Sequence, residues 1–156
     1  MNMTAGPHSP PTLEKYGFRP AGSWRPHKVA SGIGYQLDAF VNDRVVYAFV
    51  VEDRVMYIGI CDKDTTTLKS RMSRYQTRQG SGTNERVAGQ IRRCLTAGKA
   101  VRIYALRPDG EECRYKGLNV DLVRGLENPV IRALQPPWNS SRRSPRRFAR
   151  SRPAPL

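Results

Sequence analysis

Residues 45–59 constrain the fold of this chain more than any other stretch. They read Val45-Val46-Tyr47-Ala48-Phe49-Val50-Val51-Glu52-Asp53-Arg54-Val55-Met56-Tyr57-Ile58-Gly59, two apolar runs on either side of a charged break. β-Branched and aromatic side chains suit a pleated, half-buried surface, and a short polar break between two such runs marks a hairpin with a solvated turn. Side chains alternate faces along a strand, so an antiparallel register can bring Tyr47 and Tyr57 together on one face. Taken alone, two strand tyrosines are core packing. Gly59 is expected to let backbone approach backbone behind the hairpin.

A chain of 156 residues with 38% hydrophobic composition supports one domain with a modest core and some trailing chain. The 27 Lys and Arg outnumber the 13 Asp and Glu, leaving a formal charge of +14. Such an excess calls for a polyanionic partner, either nucleic acid or an anionic surface. No apolar run reaches the length of a membrane-spanning helix, and the N-terminus has no charged region followed by an apolar one. The expectation is a cytoplasmic protein with nucleic acid as partner and no membrane. Cys61, Cys94 and Cys113 are widely spaced with no Cys-x-x-Cys pair, the pattern of reduced structural thiols rather than a zinc site. His8 and His27, the only histidines, lie near the N-terminus. Chemistry that needs a histidine cluster, a Cys/His pair or a histidine-rich metal centre is thereby excluded.

Along the chain, residues 1–12 carry Pro7, Pro10 and Pro11 among small polar residues and are expected to form a disordered arm. In residues 13–33, Tyr16, Phe18 and Trp24 alternate with Arg19, Arg25 and Lys28, while Pro20 and Pro26 interrupt any helix. An irregular segment is expected there, either covering the core or lining a nucleic-acid groove. Residues 34–41 alternate as a strand. Beyond the hairpin, Asp64 to Thr67 offer helix caps, and Leu68, Met72 and Tyr75 form an inward stripe with Arg71 at its edge. A second helix is expected from about Asn84 to Ala97, with Arg86, Arg92 and Arg93 outward. Val101 to Ala105 alternate as a strand. A last helix spans about Val120 to Leu134, kinked or restarted at Pro129 with Asn128 as cap. Residues 140–156 hold six Arg, three Pro and no acid, a basic tail unable to bury enough apolar surface to fold alone.

The groups left for polar chemistry are Tyr47, Tyr57, Arg71, Tyr75, Glu127 and Asn139. Their order and spacing resemble the GIY-YIG nuclease family. Tyr57-Ile58-Gly59 matches the second family motif as written, whereas Val46-Tyr47-Ala48 departs from Gly-Ile-Tyr at the first. Arg71 with Tyr75 matches the family's helix arginine followed by an aromatic residue. Gly125-Leu126-Glu127 and the ending Pro136-Pro137-Trp138-Asn139 match its metal-binding glutamate and terminal asparagine. The resemblance covers residues 45–139 and leans towards the family's restriction-type and phage-type DNA endonucleases.

The resemblance implies a single-metal hydrolysis in which Glu127 holds Mg²⁺ or Mn²⁺ and Tyr47 or Tyr57 assists the attacking water. Of the two, Tyr47 is favoured as base with Tyr57 as its hydrogen-bonded partner. A carboxylate is a suitable ligand for Mg²⁺, which keeps several waters, and an arginine that never loses its proton suits a phosphate in its transition state. A free phenol, with a pKa of about 10, is almost entirely protonated at neutral pH and needs a neighbouring cation to serve as a base. Tyr75 is expected at the scissile phosphate and Asn139 around Glu127. Lys69, Arg74, Arg78, Arg86, Arg92 and Arg93, with Arg142 and Arg143 of the tail, are candidates for phosphate contact.

The fold expected is α/β (α+β), a small central and mostly antiparallel sheet flanked by helices. Residues 13–139 form the domain, divided into an extension over 13–44 and a core over 45–139. The function expected is a metal-dependent DNA endonuclease acting on duplex DNA as a monomer or homodimer. The alternatives are a non-catalytic nucleic-acid-binding module, and a repair or toxin nuclease sharing the same chemistry.

Overall fold

In a computed structural model, residues 8–27, 32–77 and 82–139 are described. Arg78, Arg142, Arg143 and the expected basic tail lie outside them, as do residues 1–7 of the expected arm. The chain builds a short helix α1 (Pro10–Lys15), strands β1 (Arg19–Pro26), β2 (Ile33–Leu37), β3 (Val46–Val51) and β4 (Arg54–Ile60), then helices α2 (Leu68–Thr77) and α3 (Gly82–Thr96). Strand β5 (Val101–Leu106), a 3₁₀ turn, a small ribbon β6 (Arg114–Tyr115) and β7 (Leu118–Asn119), and helix α4 (Leu122–Leu134) complete it. Among the described residues, no helix is long and apolar enough to cross a membrane.

The five main strands form one sheet in the order β2-β1-β5-β3-β4, with every pairing antiparallel. All six residues of β3 are buried, because helices cover both faces of the sheet. Tyr47, Phe49 and Val51 point into one core with Leu68, Met72 and Tyr75 of α2 and Val87 and Ile91 of α3. Val46, Ala48 and Val50 point into the other, against Leu13 of α1 and Val123, Val130 and Leu134 of α4. Each large apolar side chain removed from water here contributes about 1.5–3 kcal/mol, which makes β3 the strand that binds the two layers.

The hairpin is present with a two-residue turn, Glu52 and Asp53 both adopting positive φ, as the right-handed strand twist favours. Its register shifts between the pairs Phe49–Tyr57 and Val50–Val55. Met56 is thus an extra residue, a bulge that sends Val55 to the α4 side while Tyr57 faces α2.

The first quarter of the chain differs from its expectation. Residues 10–15 are helical, and 19–26 form a regular strand between β2 and β5. Pro20 and Pro26 lie at the start and end of that strand, where a missing N–H disturbs the ladder least, and the pairing shifts between Pro20 and Gly22. Helix α4 likewise runs through Pro129 without a restart. The carbonyl that Pro129 leaves without a donor is that of Gly125, an exposed residue that water can reach. Asp121 caps the helix by accepting from the Arg124 amide.

Candidate active site

Tyr47 lies opposite Gly59 in the hairpin, and its ring fills the space a Gly59 side chain would need. A Cβ there would fall 2.5 Å from both Cζ and the hydroxyl of Tyr47. Gly59 is therefore small to admit the ring, rather than to let backbone approach backbone. Tyr57 lies two residues along on the same face, its ring centroid 6.5 Å from that of Tyr47. One helical turn sets Arg71 beside Tyr75 on α2, and Tyr75 meets both hairpin tyrosines edge-on.

The hydroxyls of Tyr47 and Tyr75 are 2.7 Å apart. The Arg71 guanidinium donates to Tyr47 from Nε at 3.2 Å and Nη2 at 3.1 Å, and from Nη2 to Tyr75 at 3.0 Å. Nη2 also donates to Oδ1 of buried Asn84 on α3, at 3.3 Å. The Tyr47 hydroxyl thus bonds Tyr75 and Arg71 rather than Tyr57, which is linked through Tyr75 by a long 3.5 Å contact. Among the described residues, Arg71 forms no ion pair: the oxygens around it are neutral. Burial opposes its charge, but the tyrosines Tyr47 and Tyr75 hold its pKa above the ordinary arginine value.

All three phenols are pushed well above the ordinary tyrosine pKa, burial being the first cause in each. Tyr57, at 7% exposure, is the least enclosed of them. The negative charge of Glu127 raises it further, so the carboxylate on α4 acts electrostatically on the tyrosine of β4 although the two belong to opposite layers. β4 is the edge strand of the sheet, and α4 packs against it.

The turn after α4 lies along that edge. Trp138 donates its amide to the Met56 carbonyl at 2.9 Å, and the Asn139 side chain takes both backbone groups of Ile58, each at 2.8 Å. Asn139 thus replaces a missing strand partner between Tyr57 and Gly59. The sequence resemblance places it around Glu127, whereas its hydrogen bonds hold β4.

Of the cationic candidates, Lys69 and Arg74 are exposed on α2, along an open groove with Thr67, Ser70, Ser73 and Thr77. Arg92 is half-buried and Arg93 exposed on α3. Arg86 departs from the expected outward position: it is half-buried and donates to the Trp138 carbonyl at 2.7 Å, tying α3 to the turn that carries Asn139. Two contributors were missed. Asn84 follows a glycine-rich break that gives no sign of its role. Arg44 forks onto Asp121 at 2.8 and 2.9 Å and donates to the carbonyls of Asp62 and Lys63, joining the cap of α4 to the loop that leads into α2.

Among the described residues, no three His, Cys, Asp or Glu side chains converge on a point that could enclose a metal ion. A lone carboxylate such as Glu127 would hold a hard cation only openly, with water completing its shell, and not in a closed protein cage.

No protein-family model matches the chain, and no curated protein matches its sequence. Solved structures do match its fold. A mutant of bacteriophage T4 EndoII superposes with a TM-score of 0.64 at 22% identity, covering 85% of this chain and 98% of that one. The restriction endonuclease HPY188I in complex with product DNA superposes with a TM-score of 0.52 at 19% identity, covering 80% of this chain and 78% of that one. The α+β architecture, with its antiparallel five-stranded sheet and flanking helices, is the fold of these two nucleases.

Proposed function

We propose that this chain is a metal-dependent DNA endonuclease of the GIY-YIG type. The observation that carries the proposal is Arg71, a half-buried cation surrounded by phenol and amide oxygens and, among the described residues, with no carboxylate paired to it. Burying a charge without a counter-ion opposes folding, so a cation kept this way suits a binding site for an anion that arrives later. The fold likeness to two endonucleases supports a phosphodiester as that anion.

In this reading Arg71 forks onto the scissile phosphate and stabilises the charge that builds there. Its bonds among the described residues use Nε and Nη2, leaving Nη1 for a phosphate oxygen. Tyr47 and Tyr75 hold the guanidinium in place. Tyr57, the least enclosed phenol, orients the attacking water; because burial and the Glu127 charge both hold its pKa up, it would take a proton only as a phenolate formed beside a bound cation. Glu127 would hold Mg²⁺ or Mn²⁺, and such an ion supplies Lewis-acid stabilisation and a more acidic water when bound. Asn139 fixes the strand between Tyr57 and Gly59. Lys69 and Arg74, beside four hydroxyl side chains, position the DNA backbone without reading its sequence.

Supercoiled plasmid incubated with Mg²⁺ tests the proposal. The wild-type chain is expected to nick or linearise it, and Glu127→Ala to do so about a hundredfold more slowly or worse, the usual scale for losing a group that stabilises the transition state. Equal rates would remove Glu127 from the site. A wild-type chain that binds but cuts no nucleic acid would leave the non-catalytic binding module.

A further inference from the structure

The ribbon β6–β7 stands outside the main sheet, and its surface is unlike the rest of the molecule. Tyr115 and Leu118 are 60% and 66% exposed, the most exposed large hydrophobic residues described. They are direct cross-strand partners, so their side chains share one face. Val120 extends the ladder by donating its amide to the Cys113 carbonyl at 2.7 Å. The turn, Lys116-Gly117, has φ of 50° and 83°, the two-residue form that matches strand twist and keeps a ribbon stiff. The Lys116 ammonium sits 5.4 Å from the centre of the Tyr115 ring.

Charge and position identify the partner. From Cys113 to Val120 there is no acidic residue, while Arg114 and Lys116 supply two cations. The acids beyond, Glu111 and Glu112, lie at the foot of the ribbon, and Asp121 is paired with Arg44. The ribbon leads directly into α4, and Glu127 lies six residues past the Asp121 cap, about 9 Å along the helix axis. DNA seated at Glu127 therefore passes within reach of the ribbon. Aromatic and aliphatic side chains flanked by cations suit a wedge that enters the minor groove and partly unstacks a base step.

We propose that the β6–β7 ribbon is a second DNA-binding element, in which Tyr115 and Leu118 press into a base step near the cleavage site while Arg114 and Lys116 hold the flanking phosphates. This deepens the endonuclease reading and rests on it for the identity of the ligand.

The test uses the full chain, a duplex oligonucleotide carrying 2-aminopurine, and EDTA so that binding is read without cleavage. Wild-type binding is expected to raise 2-aminopurine fluorescence as bases unstack. The double variant Tyr115→Ser/Leu118→Ser is expected to lose that rise and bind about tenfold more weakly, with an unchanged salt dependence. Arg114→Gln/Lys116→Gln is expected to lower the slope of log affinity against log salt by about 2. No rise with the wild type, or wild-type behaviour in both variants, overturns the proposal. So does a wild-type dimer that the serine variant converts to monomer with DNA binding unaltered, since the ribbon would then contact a second copy. If the fluorescence and affinity effects hold but plasmid is never cut, the ribbon stands and the endonuclease reading fails. If plasmid is cut and every ribbon variant binds normally, the reverse follows.

Discussion

At the scale of single residues, Tyr47 and Gly59 are one feature. The ring occupies the volume a side chain at 59 would need, and being fully buried it has nowhere to move. Gly59→Ala is expected to lower stability by about 1–3 kcal/mol through overpacking and to displace the Tyr47 hydroxyl from Arg71. Thermal melting and plasmid nicking should both register the change. Gly89 on α3 is the control, because a Cβ there meets nothing within 4 Å. Gly89→Ala is expected to stabilise by about 0.5–1 kcal/mol, through helix propensity alone. The Tyr-Ile-Gly pattern was legible in the sequence, but the partner of its glycine was not, because strand register decides what stands opposite.

At the scale of elements, the site depends on where α4 sits against β4. Arg44 fixes this position by gripping the α4 cap and two carbonyls before α2 with one planar fork. Arg44→Ala is expected to cost about 1–2 kcal/mol, a value held down by the partial exposure of Asp121. Its effect on nicking should exceed that of an equally destabilising core variant, since Glu127 rides on the helix that Arg44 holds. Arg44→Lys, which keeps the charge but not the fork, should recover the melting temperature more than the activity. If activity follows melting temperature alone in both, Arg44 serves only stability. The hairpin, strand β5 and helices α2, α3 and α4 were legible from periodicity, with ends shifted by a residue or two, whereas the ribbon β6–β7 was not, being too short to show an alternation. The strand β1 was not, because two prolines in eight residues read as breaks, and only pairing on both sides with β2 and β5 makes that stretch a strand.

At the scale of the whole molecule, the buried phenols link stability to pH. Each has a folded pKa above its unfolded value of about 10, so each contributes stability that is complete below pH 10. As the pH rises beyond that point, the unfolded chain releases protons that the folded one retains, and stability falls. Three such groups together give a slope of roughly 4 kcal/mol per pH unit. Denaturant titrations above pH 10 should show this loss, and phenolate absorbance from Tyr47, Tyr57 and Tyr75 should appear only as the protein unfolds. Phenolate appearing near pH 10 in the folded state would mean that the phenols are not enclosed as described. By itself the sequence determined the local periods, the hairpin and its turn, the excess of positive charge, and which residue types were at hand for phosphate chemistry. These follow from side-chain shape and charge within a few residues of chain. The tertiary structure decided what lies beside what: the bulge at Met56 that turns Tyr57 towards Tyr75, the Asn139 amide on the open edge of β4, and the absence of a carboxylate beside Arg71 among the described residues. Such contacts join segments up to 81 residues apart, and only packing two helical layers on one sheet brings them together.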